Sequence, residues 1–213
     1  MTFKEIKTFI NDYVFKTRYV FATDHLPYQE SSNQLFFVVK IEESDTNTQN
    51  KSILNCIDFL LRHITKEKLQ HRLSLPNCAV FLAIDKESKQ PVGFCWAVKA
   101  EERPIWHDKF CLAPGNGLLF NAFVREEYRG RRIYKMLQVA VHNYLFEINC
   151  RRVYTIVESS NLPSLKACHS FGLVCVGKNY LIKFLKYNIF SIYRWEKGLK
   201  IYYVFKNAKG NNI

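Results

Sequence analysis

Residues 124–137 read Val-Arg-Glu-Glu-Tyr-Arg-Gly-Arg-Arg-Ile-Tyr-Lys-Met-Leu, three arginines gathered round one glycine just before a helical pattern begins. The first four amide hydrogens of any helix have no partner within it. With the helix dipole they form a ready anion site. Gly130 lets the chain bend and approach a ligand closely, while Arg129, Arg131 and Arg132 bring fork-shaped donors suited to phosphate oxygens. The chemistry of such a turn is the grip of a pyrophosphate. The same residues also suit an ordinary solvated basic turn.

Stepping outward, the apolar run 118–124 reads as a strand buried on both faces. Ile133, Met136, Leu137, Ala140, Val141, Tyr144, Leu145 and Ile148 fall on one helical face after it. A strand is expected over 151–159 and a short helix over 163–172, with Pro163 in its first turn and Gly172 as its stop. Upstream, periodicity predicts a helix over 3–15, a strand over 35–43, a helix around Ile53–Ile64 and a shorter one around Leu69–Leu75, stopped by Pro76. Residues 79–85 and 92–100 read as paired strands, 103–117 as a long loop, and the aromatic tail 173–205 as two or three strands. No repeat or linker interrupts the chain, so one mixed α/β domain over residues 1–213 is expected.

Hydrophobic residues make up 48% of the chain, enough for a core, which excludes a disordered composition. The net charge of +12 suits either a solvated surface or a polyanionic partner such as a nucleotide cofactor, nucleic acid or an anionic membrane, and charge alone does not choose among them. The seven cysteines include no CxxC pair, so no metal is expected. No run approaches the ~20 apolar residues that span a bilayer, and the N-terminus lacks a signal-peptide core, so the expectation is a reduced, cytoplasmic protein.

Two motifs sharpen the reading. Val124, Tyr128-Arg129-Gly130, Ile133 and Leu137, then Asn161, Ser164, Leu165 and Gly172-Leu173 after the next strand, resemble the GNAT superfamily of acetyl-CoA-dependent N-acetyltransferases. The resemblance covers roughly residues 79–177. It implies a single GNAT-like domain of α/β (α+β) class. The implied central sheet is mixed, of about seven strands, splayed between the fourth and fifth and flanked by helices. An extra N-terminal helix and a β-rich tail would be added to it. Two departures stand out. Arg132 occupies a usual glycine position and is expected in the first helical turn at negative φ, where glycine is not required. Tyr134 replaces a Gly or Ala and adds bulk beside the ligand.

The resemblance further implies an acetyl-CoA donor held by Arg129, Gly130, Arg131, Arg132, Ile133, Tyr134, Asn161 and Ser164. Backbone groups of Phe123 and Val124 would pair with the pantetheine arm and polarise the thioester. Glu158 would accept the amine proton, or cap the following turn. The family's usual tyrosine acid falls at Cys168, which is either a thiol donor or a small buried helix residue. Asn161 would fix the cofactor arm or the 158–161 turn. Asn121 and the loop residue His107 would face the acceptor pocket, or serve as an internal hydrogen-bonding amide and a surface residue. The acceptor would be a small-molecule amine, and the basic chain suits a nucleotide-linked amino sugar or other small anionic amine. An amino acid, a protein N-terminus and O-acyl transfer stay open, and a homodimer is allowed. The alternative is a non-enzymatic GNAT-like module that binds nucleic acid or a membrane surface through its basic residues. No recognised nucleic-acid motif supports that partner.

Overall fold

The computed structural model describes residues 2, 15–25, 35–47, 49–107, 110–184, 187–195 and 198–203. The elements in chain order are β1 (Phe15–Thr23), β2 (Phe36–Ile41), α1 (Lys51–Leu61), α2 (Lys66–Leu73), β3 (Cys78–Asp85), β4 (Pro91–Lys99), β5 (Ile105–His107), β6 (Phe110–Leu112), β7 (Gly117–Val124), α3 (Ile133–Glu147), β8 (Val153–Glu158), α4 (Leu162–Ser170), β9 (Val174–Phe184), β10 (Tyr187–Trp195) and β11 (Gly198–Tyr203). They fall into two compact units, one holding β2 to β7 with α1 to α3 and the other holding β1, α4 and β9 to β11.

In the first unit β2, β3, β4 and β7 pair antiparallel in that order. Strands β3 and β4 are buried at nearly every position because both faces are covered, which explains their unbroken apolar runs. On one face Ile133, Leu137, Val141, Tyr144 and Leu145 of α3 pack against Ala79, Phe81, Cys95, Ala97 and Leu119. The alternate residues Phe94, Trp96, Phe120 and Phe123 point to the other face, where Phe59 of α1 and Arg72 of α2 meet them. Helix α1 is capped by Asn50 and α2 by Thr65, whose side-chain oxygens accept from Ser52 N and Lys68 N.

In the second unit β1 pairs antiparallel with β9, β9 with β10, and β10 with β11. The tail thus forms three strands. Helix α4 buries Cys168 fully, and Phe171 and Leu173 beside it are nearly as buried.

The α/β class agrees with expectation, and two local readings need correction. The stretch read as a long loop contains the β5–β6 hairpin, with Ile105 opposite Leu112 and His107 opposite Phe110. Three-residue strands are too short to display an alternation, so composition favoured a loop. Strand β1 was not foreseen. The expected helix 3–15 lies outside the described residues but for Phe15, which begins that strand.

Candidate active site

Strand β7 leads from the core to the basic turn. Residues Glu126–Tyr128 form a short 3₁₀ turn, and the Arg129 amide donates to the Glu126 carbonyl at 3.1 Å. Arg129 was expected to offer that amide to a ligand. The tight turn takes it instead, which leaves Arg129 its side chain. Gly130 has φ +79° and no neighbour where a Cβ would stand, so it serves the bend rather than a close internal contact. Arg132 has φ +62° and ψ 11°, so it is the left-handed N-cap of α3 and not, as expected, a residue of its first turn. The chain needs two left-handed residues to swing from the 3₁₀ turn into the helix, and Arg132 supplies the second at a strain of about 1–2 kcal/mol.

The first amide to join the helix's own ladder is that of Met136, which donates to the Arg132 carbonyl at 3.1 Å. Among the described residues no protein carbonyl takes the amides of Gly130, Arg131 or Ile133. The Ile133 side chain is buried in the core, so only its backbone faces the turn. The Arg131 guanidinium lies 5.2 Å from the centre of the Tyr128 ring, whose hydroxyl donates to Asp85 at 3.2 Å. Arg129 Nε donates to the Val124 carbonyl at 3.4 Å, and its head lies 3.7 Å from Glu126. Tyr134 is half-buried.

Upstream of the turn, β7 carries an irregularity of its own. Phe120 pairs with Trp96 and Phe123 with Phe94, so Asn121 and Ala122 together oppose Cys95. That is a β-bulge, which leaves an extra residue outside the ladder and bends the strand. Asn121 has φ +50°, a conformation a short polar side chain tolerates. With its amide oxygen facing α2, Asn121 accepts from Arg72 Nη1 at 2.9 Å and Nη2 at 3.1 Å. The Arg72 guanidinium lies 5.1 Å from the ring centres of both Trp96 and Phe120. The His107 ring lies 4.6 Å from the Phe120 ring. Both residues expected at the acceptor pocket therefore adjoin Phe120.

Two residues here were not foreseen. Arg72 had a signal: it sits three after Leu69 and one before Leu73, on the apolar stripe of a short helix. His63, just beyond α1, sets its ring 4.2 Å from Phe123, 5.1 Å from Phe59 and 5.3 Å from Phe94. Partial burial, then the charges of Arg125 and Arg62, hold its imidazole below the usual pKa, so it is neutral at pH 7.

The remaining candidates belong to the second unit. Asn161 caps α4, its side-chain oxygen accepting from Ser164 N at 3.2 Å, and its own amide donates to the Glu158 carbonyl at 2.9 Å. It therefore fixes the 158–161 turn. Glu158 lies 3.9 Å from the Arg18 guanidinium of β1. Burial pushes the Cys168 thiol up to about 12, which makes it a poor proton donor at neutral pH. The small, buried helix residue is the reading its surroundings favour.

The profile of the acetyltransferase (GNAT) family matches residues 49–173, more than half of the chain. The chain belongs to the GNAT acetyltransferase family. Among solved structures, a GCN5-related N-acetyltransferase from Sphaerobacter thermophilus is similar at 14% identity and a TM-score of 0.52, over 84% of this chain and 55% of that one. A Drosophila protein is similar at 9% identity and a TM-score of 0.54, over 86% of this chain and 57% of that one. An aminoglycoside acetyltransferase from an uncultured soil metagenomic sample has 16% identity and a TM-score of 0.47, over 65% of this chain and 88% of that one. At such identities the first two likenesses are of fold. No curated protein matches. Among the described residues of this GNAT chain, no helix is long and apolar enough to cross a membrane.

Proposed function

We propose that this GNAT chain is a cytoplasmic N-acetyltransferase that moves an acetyl group from acetyl-CoA to a primary amine by direct attack. The observation that carries this reading is the α3 N-terminus, where the amides of Gly130, Arg131 and Ile133 have no protein acceptor among the described residues and three arginines surround them. That donor set suits a diphosphate in both charge and geometry. The turn at Gly130 has open space on its Cα side. Acetyl-CoA supplies the activated thioester. The chain's own residues position it: the turn takes the diphosphate, and the backbone of Phe123 and Val124 takes the pantetheine arm. The bulge at Asn121 and Ala122 frees backbone groups from the ladder to meet the thioester.

For the amine proton, Glu158 is the proposed acceptor. Cys168 is left aside as the acid, and the leaving thiolate takes its proton from solvent. Asn121 and His107, with Phe120 between them, form the acceptor side. The net charge of +12 favours a small anionic amine such as a nucleotide-linked amino sugar. The family match over residues 49–173 draws on both units, in keeping with one GNAT-like domain there, and we take residues 1–213 as that single domain.

The test is retention on a CoA resin at moderate salt, followed by a thiol-release assay against a panel of amines led by amino-sugar nucleotides. Wild-type protein is retained, and Arg129→Ala combined with Gly130→Glu is not. Equal retention of the two would remove the cofactor assignment and favour the non-enzymatic alternative.

A further inference from the structure

Arg72 is 1% exposed, yet among the described residues no carboxylate lies within ion-pair distance of it. Its Nε hydrogen is buried without a partner. Burial lowers its pKa to about 10, still high enough to keep the charge at pH 7. A buried cation without a counter-ion is a poor way to stabilise a core, and an apolar residue of similar volume commonly does better. The contacts of Arg72 are concentrated at one place. Its guanidinium covers the rings of Trp96 and Phe120, the pair just upstream of the bulge, and with the amide oxygen of Asn121 turned towards α2 its two terminal nitrogens donate to that exposed, bulged residue.

We propose that Arg72 is a positioning residue that locks the β7 bulge at Asn121. A bulge can relax by migrating one position along its strand, and each step turns side chains to the opposite face. Migration one position towards the turn would move Phe123 out of its aromatic cluster. It would also redirect the backbone groups of the segment that leads to the basic turn. The paired donors hold the Asn121 amide, and the two rings fix the guanidinium that carries those donors. A lysine would keep the charge and its attraction to the rings, but not the fork. The functional consequence rests on the CoA reading above; the structural claim does not.

The experiment is a double-mutant cycle. Arg72→Met and Arg72→Lys are made in the wild-type and Asn121→Gly backgrounds. Each protein is examined for melting temperature, for backbone NMR shifts of residues 120–123, and for acetyl-CoA affinity by calorimetry. In the wild-type background both substitutions move the shifts of Asn121 and Ala122 and weaken acetyl-CoA binding by about tenfold or more, as misplacement of a binding segment does. The melting temperature of Arg72→Met is unchanged or raised, because an unpaired buried charge has been removed. In the Asn121→Gly background neither substitution has a further effect on shifts or affinity. Equal losses in both backgrounds would show that Arg72 acts through general packing and would overturn the proposal. So would Arg72→Lys matching wild type in the shifts. Should wild-type protein fail to bind acetyl-CoA, the functional reading falls, while the shifts of the unliganded proteins still decide whether Arg72 holds the bulge.

Discussion

Strand β7 and the turn after it hold two non-glycine residues in left-handed backbone, Asn121 at φ +50° and Arg132 at φ +62°. They are secured in opposite ways. Asn121 is held locally, by two hydrogen bonds from a buried guanidinium that is itself clamped on two rings. Arg132 is exposed and makes no side-chain cap to the helix it opens. The next residue, Ile133, is anchored in the core. The bulge is therefore a rigid device and the turn a dependent one. On the proposed reading, that difference suits a strand aimed at a small thioester and a turn that accepts a flexible, highly charged diphosphate.

If the turn depends on α3, loosening that helix should disturb the turn and spare the bulge. His142 of α3 is 1% exposed and donates from Nδ1 to the Gln138 carbonyl at 2.7 Å. Burial holds its pKa down to about 4, against 6.5 in the unfolded chain. The unfolded state therefore binds the proton more readily. The stability that depends on neutral His142 is fully present above pH 6.5 and is lost as the pH falls towards 4. The loss amounts to about 3 kcal/mol at its fullest. Denaturant titrations across this window should show a steeper decline for wild type than for His142→Phe. Parallel curves would mean that the helix is not anchored through a neutral imidazole.

Much of this contrast was out of reach in the sequence. The apolar runs of β3 and β4 were legible because burial on both faces leaves an unbroken run, and the eight-residue stripe of α3 because one buried helical face leaves a 3.6-residue period. Strand β7, read as buried on both faces, is so only through Phe120, with Asn121 and Ala122 exposed. Asn121 was visible as an amide in a greasy strand, but the bulge was not. One extra residue changes the pairing partner without changing the composition. Arg72 broke the apolar stripe of α2, a signal that only a packed neighbour could interpret. For Arg132 the glycine that its family uses there was the clue, and local reasoning about the helix start set it aside. The φ of a cap is fixed by the direction in which the chain arrives, which the 3₁₀ turn determines.

A second way to break the comparison is to push on the segment between bulge and turn. A Cβ on Gly93 would stand 2.7 Å from the Phe123 carbonyl oxygen and 3.2 Å from a Val124 methyl. Backbone cannot swing aside as a side chain can, so Gly93→Ala must part β4 from β7 there. Overpacking of this kind destabilises by about 2 kcal/mol. Chemical denaturation measures it. If the bulge is rigid, the NMR shifts of Asn121 hold while those of Phe123 and Val124 move. A displaced Asn121 would show that the lock does not isolate the bulge from its downstream neighbours.

The smallest effect discriminates best, because its sign differs between the two sites. Arg132→Gly relieves the left-handed strain of about 1–2 kcal/mol. It also loosens the unfolded chain, which returns much of that gain. The net result is a stabilisation of about 0.5 kcal/mol, seen as a slightly higher denaturation midpoint. Asn121→Gly, an equally relaxed backbone, goes the other way, since it strips the buried Arg72 of its acceptor. Opposite signs would establish that the Arg72 bonds outweigh the backbone strain at Asn121 while strain dominates at Arg132. If both variants gain stability, the Arg72 contacts contribute nothing to holding Asn121. If both lose, Arg132 is tied into the turn by its own side chain.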